Sequence, residues 1–306
     1  MPVQRTFAFA ILIVAAACSR PAGKNLAATL AKSDSSWLAL NIDSLPNDSL
    51  GVSIRRGSAL LTATHDSLPR YAPSALRCTS CHLNSGRTLG AVPLYGSYGR
   101  YPQFNVRAGG VVSIEDRVNF CFTRSLAGWR LPENSSEMRD IVAYLAFLSR
   151  GIPAGSDPAG TLIKPLPEAH GDSARGVALF AVTCARCHGP DASGSLLAPP
   201  LWGKRSFSIA ASMAREERAA AFIKRNMPLD KPGTLSDQEA FDVAAYITSL
   251  PRTDLPEKEL DYPAGKAPAD VPYRTAGHTP TRAVAVYPRE RPAEALVPLS
   301  VSVRKR

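Results

Sequence analysis

The pentapeptide Cys-x-x-Cys-His occurs twice, as Cys78-Thr79-Ser80-Cys81-His82 and as Cys184-Ala185-Arg186-Cys187-His188, about a hundred residues apart. In each copy two thiols one turn apart precede an imidazole. That spacing lets both thiols bond the two vinyl groups of one haem, with the histidine beneath the iron as proximal ligand. A zinc ribbon does not require histidine immediately after both pairs. A thioredoxin-like pair needs neither the histidine nor the repetition. The expectation is two covalent haem c groups, attached through Cys78, Cys81, Cys184 and Cys187, with His82 and His188 on the two irons.

The stretches C-terminal to the two pentapeptides are also similar. After the second comes Asn226-Met227-Pro228, then Ser236 with Glu239 three residues on, which reads as a capping box. Phe241, Ala244, Ala245, Ile247 and Leu250 give the ensuing helix one apolar stripe. A haem site, a loop methionine and a terminal helix resemble the small monohaem cytochrome c domain. That family is all-α, and the resemblance makes Met227 the sixth ligand of the second iron. In the first half, Asn134 and Glu137 suggest a cap, and Met138, Ile141, Val142, Leu145 and Leu148 form the stripe. Asp140-Ile141-Val142-Ala143-Tyr144-Leu145 echoes Asp242-Val243-Ala244-Ala245-Tyr246-Ile247, which fixes a register between the halves. In that register Leu131-Pro132 falls near where Met227-Pro228 falls.

Leucine cannot bind iron, so the first haem lacks a sixth protein ligand or takes one from elsewhere. Met138 lies on the apolar face of a predicted helix and reads as core filling. His65 precedes the haem site, on a helix expected to be exposed. Cys121 remains. Of six cysteines, four hold haem and Cys18 belongs to an N-terminal signal, so Cys121 has no obvious partner. An inert buried thiol and a disulfide to Cys18 are alternatives, but the preferred reading makes Cys121 the distal ligand. A thiolate donates electron density to iron and lowers its potential relative to a His/Met site. Met213 is a second conceivable methionine ligand, ranked below Met227 because it precedes a helix rich in alanine and charge.

Around Cys121 stand Arg87, Arg100, Arg107, Arg117, Arg124 and Arg130, opposed only by Glu115 and Asp116. Arginine suits oxyanions through its fork of donors, although at least half of these are expected to neutralise haem propionates or lie on the surface. From about Ile54 to Tyr273 the chain resembles the dihaem thiosulfate dehydrogenase family. The matching residues are Cys81-His82-Leu83, Tyr101-Pro102-Gln103-Phe104, Glu115-Asp116-Arg117, Cys121 with Arg124-Ser125, and Leu131-Pro132. They continue with Phe222-Ile223, Asn226-Met227-Pro228, Leu235 to Ala240, and Asp261-Tyr262-Pro263 leading to Pro272-Tyr273. The resemblance implies His82/Cys121 ligation of the first iron and His188/Met227 ligation of the second. It implies that Arg107, Arg117 and Ser125 lie near a substrate pocket beside Cys121, whose sulfur could attack or hold a sulfane sulfur. It further implies that two thiosulfates are joined to tetrathionate, or the reverse, with electrons passed to a periplasmic acceptor such as a small cytochrome. Two positions depart from the family: Ala127 stands where asparagine is frequent, and Asn226 where some members have a lysine beside the methionine. Rival readings are a non-catalytic dihaem electron carrier, and a sulfur-oxidising cytochrome whose haem-ligating cysteine carries a sulfur group for a partner protein.

At 306 residues and 45% apolar, the chain has material for two modest cores, and at 20% charged it does not read as disordered. The expected architecture is all-α, with two tandem cytochrome c-like domains each enclosing one covalent haem c. Residues 1–17 read as an export signal. Arg5 precedes the apolar run Phe7–Ala17, whose eleven residues are too few to span a bilayer. Cys18 after three alanines is a candidate lipid anchor, and the expected location is the periplasm. Residues 18–50 are a tether, 51–152 the first domain with the catalytic haem, 153–171 a Gly/Pro-rich linker, and 172–262 the second domain with the electron-transfer haem. Residues 263–306 are a Pro/Arg-rich tail expected to be a loosely attached, solvated strap. A net charge of +10 without any reading module excludes nucleic acid as the expected partner.

Overall fold

In the computed structural model, residues 40–158, 163–167 and 169–290 are described. Residues 1–17, expected to be an export signal, and Cys18 lie outside them. Six helices carry the architecture. Asp48 caps α1 (Ser49–Thr62), its carboxylate accepting the Gly51 N–H at 2.7 Å. Gly51, Ile54, Gly57 and Leu61 recur at helical spacing and are buried. After α2 (Ile114–Phe120) comes α3 (Ser136–Leu148). Its cap is Ser135, which accepts the Met138 N–H at 3.1 Å, one residue later than the expected Asn134. Ser135 has the extended backbone of a cap residue, with φ −71° and ψ 157°. Met138 is 1% exposed and fills core as expected.

The second half repeats the arrangement with α4 (Ser173–Thr183), α5 (Glu216–Asn226) and α6 (Asp237–Ser249). Ser236 and Glu239 form the expected reciprocal capping box. In each half the first and last helices cross at a glycine. A Cβ on Gly57 would lie 2.0 Å from the Asp140 carbonyl oxygen, and one on Gly176 would lie 2.0 Å from that of Asp242. The echoed aspartates are anchored in both halves. Asp140 accepts the Ser53 hydroxyl at 2.6 Å, and Asp242 takes a two-pronged Arg175 at 2.7 and 2.9 Å.

Strands are few: a hairpin of β1 (Gln103–Asn105) and β2 (Gly110–Val112), and a parallel pair of β3 (Arg252–Thr253) with β4 (Val286–Tyr287). No described helix is long and apolar enough to cross a membrane.

Two features depart from the expected boundaries. Phe207, Ala211 and Ala214, numbered within the second domain, pack into the first core with Leu61, Phe122 and Leu145. Within residues 263–290, the described part of the expected tail, the chain is not a loose strap. Val271 and Tyr273 form a third buried cluster with Ile209, Ala210, Leu255 and Tyr262. The β3–β4 pairing holds the segment further on, and Arg289 donates to the Gly128 and Thr123 carbonyls at 2.7 and 2.6 Å. Pairing β3 gives the short edge strands hydrogen-bonding partners that a solvated strap would leave to water.

Candidate functional site

Each Cys-x-x-Cys-His segment winds as a tight turn. The His82 N–H donates to the Cys78 carbonyl and the His188 N–H to the Cys184 carbonyl, both at 3.0 Å. The imidazoles are aimed alike. Nδ1 of His82 bonds the Val92 carbonyl at 2.5 Å, and Nδ1 of His188 bonds that of Pro199 at 2.9 Å. A carbonyl on Nδ1 leaves Nε2 as the free ligand nitrogen and fixes the ring plane. Burial pulls the His188 pKa down, favouring the neutral form that binds metal. Paired cysteine sulfurs and an oriented imidazole in each half are the donor set that haem c requires. Met227 packs on the same core cluster as Cys184.

The first pentapeptide opens into a mainly apolar cavity of about 130 Å³, continuous with solvent at its mouth. Cys78, Cys81 and His82 line it, as do Arg117, Cys121 and Ser125. Cys121 reaches this wall because α2 changes pitch beneath it. Residues Cys121–Ser125 form a π-turn in which the Leu126 N–H donates to the Cys121 carbonyl at 2.9 Å. Such widened turns recur at functional sites. Arg117 lies one turn before Cys121, so its Nη1 donates to Cys121 Sγ at 2.9 Å. Burial pushes the Cys121 thiol up, but the Arg117 guanidinium and the His82 imidazole outweigh it and bring it down to about 6. Burial instead holds Cys78 and Cys81 at about 12. Cys121 is thus the sulfur at this wall poised as thiolate, while Cys78 and Cys81 are the two that bonds to haem would take up.

Arg107 is not among the residues lining the cavity. Its Nε donates to Asp261 at 2.8 Å, and its Nη2 to the Ala210 carbonyl at 2.7 Å and to the Tyr273 hydroxyl. Arg124 takes the other Asp261 oxygen at 2.6 Å, and the Tyr273 hydroxyl donates to Asp261 at 2.7 Å. Ala210 leads into Ala211, Ser212 and Met213, which do line the cavity, so Arg107 sits one layer behind that wall. Arg130 pairs at the surface with Asp116 and Glu133, and Arg100 with Asp157. Met213 lies at the first cavity rather than against the second core. Sequence reasoning missed Phe207 and Ser212 as cavity wall and Asp261 and Tyr273 as the clamp on Arg107. The last two stand in the matched Asp261-Tyr262-Pro263 and Pro272-Tyr273 segments, which marked their presence without their role.

Known proteins divide the chain in the same way. The family model for the SoxA/TsdA cytochrome c domain matches residues 70–154, and that for cytochrome c oxidase, cbb3-type, subunit III matches residues 171–247. The thiosulfate dehydrogenase of Psychrobacter arcticus is 39% identical over 234 residues, which cover 74% of this chain and 72% of that protein. The thiosulfate dehydrogenase of Allochromatium vinosum is 41% identical over 219 residues, covering 68% of this chain and 81% of that one. The solved thiosulfate dehydrogenase TsdBA of Marichromatium purpuratum superposes with a TM-score of 0.66 at 34% identity, over 70% of this chain. This chain spans about half, 49%, of that longer one. Two haem c sites on an all-α pair of cytochrome c domains, with these relatives, make the chain a member of the thiosulfate dehydrogenase family.

Proposed function

We propose that the chain is an exported dihaem enzyme that joins two thiosulfates through sulfur beside Cys121 and passes the electrons out through its second domain. The observation that carries this reading is the Arg117–Cys121 contact of 2.9 Å at the wall of a cavity that also holds Cys78, Cys81 and His82. An electron relay needs no cation against the sulfur that faces its haem.

His82 and Cys121 would hold the first iron, and His188 and Met227 the second. Bound haem c supplies one-electron oxidation at each of two irons, so the pair accommodates the two electrons released when two thiosulfates become tetrathionate. Two dianions must be brought together first. Unit charges about 4 Å apart repel by roughly 4 kcal/mol in a partly shielded site, and the Arg117 guanidinium offsets part of that. Ser125 offers a hydroxyl donor at the same wall. Arg107 acts as a positioning residue through Ala210. The same parts serve tetrathionate reduction. The apolar run Phe7–Ala17 after Arg5 supports export to the periplasm, with Cys18 as a lipid anchor and a small cytochrome as electron acceptor.

Purified holoprotein given thiosulfate and ferricyanide should form tetrathionate, and low-temperature EPR should resolve two low-spin species. Absence of tetrathionate with both haems present would reject the enzyme reading. An unchanged EPR spectrum in Cys121→Ala would reject the ligand assignment.

A further inference from the structure

Asn226 ends α5 and directly precedes Met227. It is only 4% exposed. A buried amide is costly unless its donors are used, and here both Nδ2 hydrogens are. One returns to the Phe222 carbonyl of its own helix at 2.9 Å. The other crosses 136 positions of chain to the Gly90 carbonyl at 3.0 Å. Gly90 lies in the first domain, two residues before Val92, whose carbonyl holds His82 Nδ1. A short path therefore runs from Met227 through the Asn226 side chain, across one hydrogen bond to Gly90, along to Val92, and across a second hydrogen bond to His82.

The neighbours of Asn226 are committed elsewhere. Arg225 donates to the Ala221 carbonyl at 2.8 Å, and Lys224 Nζ donates to the Leu235 carbonyl. The Gly90 backbone is seated rather than loose. Its φ is +77°, a Cβ there would touch Arg225 Cδ at 3.7 Å, and the next residue, Ala91, is fully buried.

We propose that Asn226 is a positioning residue that couples the two haem sites, tying the Met227 loop to the loop that aims His82. This rests on the assignment of Met227 and His82 as iron ligands. The bond at a ligating imidazole's second nitrogen sets the ring's orientation and basicity, and so tunes the metal. A displacement of the Met227 loop is transmitted by Asn226 to Gly90 and Val92. Coupling between sites is reciprocal, so occupancy of the first cavity acts back on the second haem. The two electrons of one turnover then enter a linked pair of sites.

The test uses holoprotein. Asn226→Leu keeps the size and removes the donors. EPR and spectroelectrochemical titration read both haems. Both low-spin signals should move, and the ratio of first to second haem reduced at a given potential should change by about fivefold, the low end of coupling between sites. Movement confined to the Met227-ligated haem would make Asn226 a local cap and overturn the coupling. Gly90→Ala serves if the leucine variant does not fold, because it retains Asn226 and strains only the acceptor. It should move the second haem's signal, and an unaltered second haem would overturn the proposal. Met227→Ala is run in parallel. If it leaves the second haem's spectrum unchanged, the ligand assignment has failed rather than the bridge.

Discussion

Arg117 does two things at Cys121: it supplies a cation to the cavity, and it holds the thiol near 6 against its ordinary 9.0. Because the folded value is depressed, the thiolate–guanidinium pair contributes stability above pH 9, and this is lost as pH falls through about 6. Iron on the sulfur holds it deprotonated lower still, so the first haem's thiolate signature, followed by absorbance, should hold from pH 9 to below about 6 before its acid limb. Arg117→Leu should raise that acid limb and lower kcat/KM for thiosulfate by about 10²–10³, the usual loss when one preorganised charge-stabilising donor is removed. A variant with wild-type kcat/KM would remove Arg117 from the substrate site. The residue types at this site were legible in the sequence: counting cysteines favoured Cys121 over an inert thiol or a disulfide to Cys18, and the family resemblance pointed the same way. The Arg117 contact was legible only in part. Its spacing of four allows contact along a helix, but six arginines were offered and only the structure separates the one on sulfur from those on carboxylates.

At the level of helices, the repeated motif acquires a mechanical meaning. Asp140 and Asp242 receive the helix crossing, and Gly57 and Gly176 allow it. Replacing glycine by alanine in a helix interior ordinarily gains about 1 kcal/mol. Here the added carbon would sit 2.0 Å from a backbone oxygen, and overpacking costs about 1–3 kcal/mol or more. Gly57→Ala and Gly176→Ala should therefore both lower the thermal midpoint, whereas Gly151→Ala, with open space around it, tests backbone strain alone. Helix positions and the Ser236 cap could be read from periodicity because both are local. The cap at Ser135 and the π-turn at Cys121 could not, since several hydroxyls and amides competed and the widened turn has no sequence period.

Across the molecule, the wall of the first cavity is built from distant chain. Phe207, Ala211 and Met213 come from beyond the second haem site, and Asp261 with Tyr273 holds them through Arg107 and Ala210. Asp261 is a buried carboxylate shared by two arginines, and removing one partner of such a pair costs about 3–5 kcal/mol. Asp261→Ala should lower stability by that order in denaturant unfolding. It should also reduce kcat/KM for thiosulfate while leaving both haems attached. Unchanged kinetics in the folded variant would show that the clamp is structural only. Arg252 makes a similar link. It is fully buried, donates to the Leu201 carbonyl at 3.0 Å and to that of Ile247, and stacks 3.9 Å over Phe207.

The sequence by itself determined the two haem sites, the all-α pair of domains and the terminal helices, because covalent spacing and helical period are local and survive without a fold. Tertiary structure alone decided that Arg107 stands behind the cavity wall, that the second domain's chain completes the first domain's cavity, that Tyr273, β4 and Arg289 anchor the segment beyond residue 262, and that Asn226 reaches Gly90. Each of these depends on closing a long loop. Its outcome is set by which buried polar group finds a partner, a competition among many candidates that no one-dimensional pattern records.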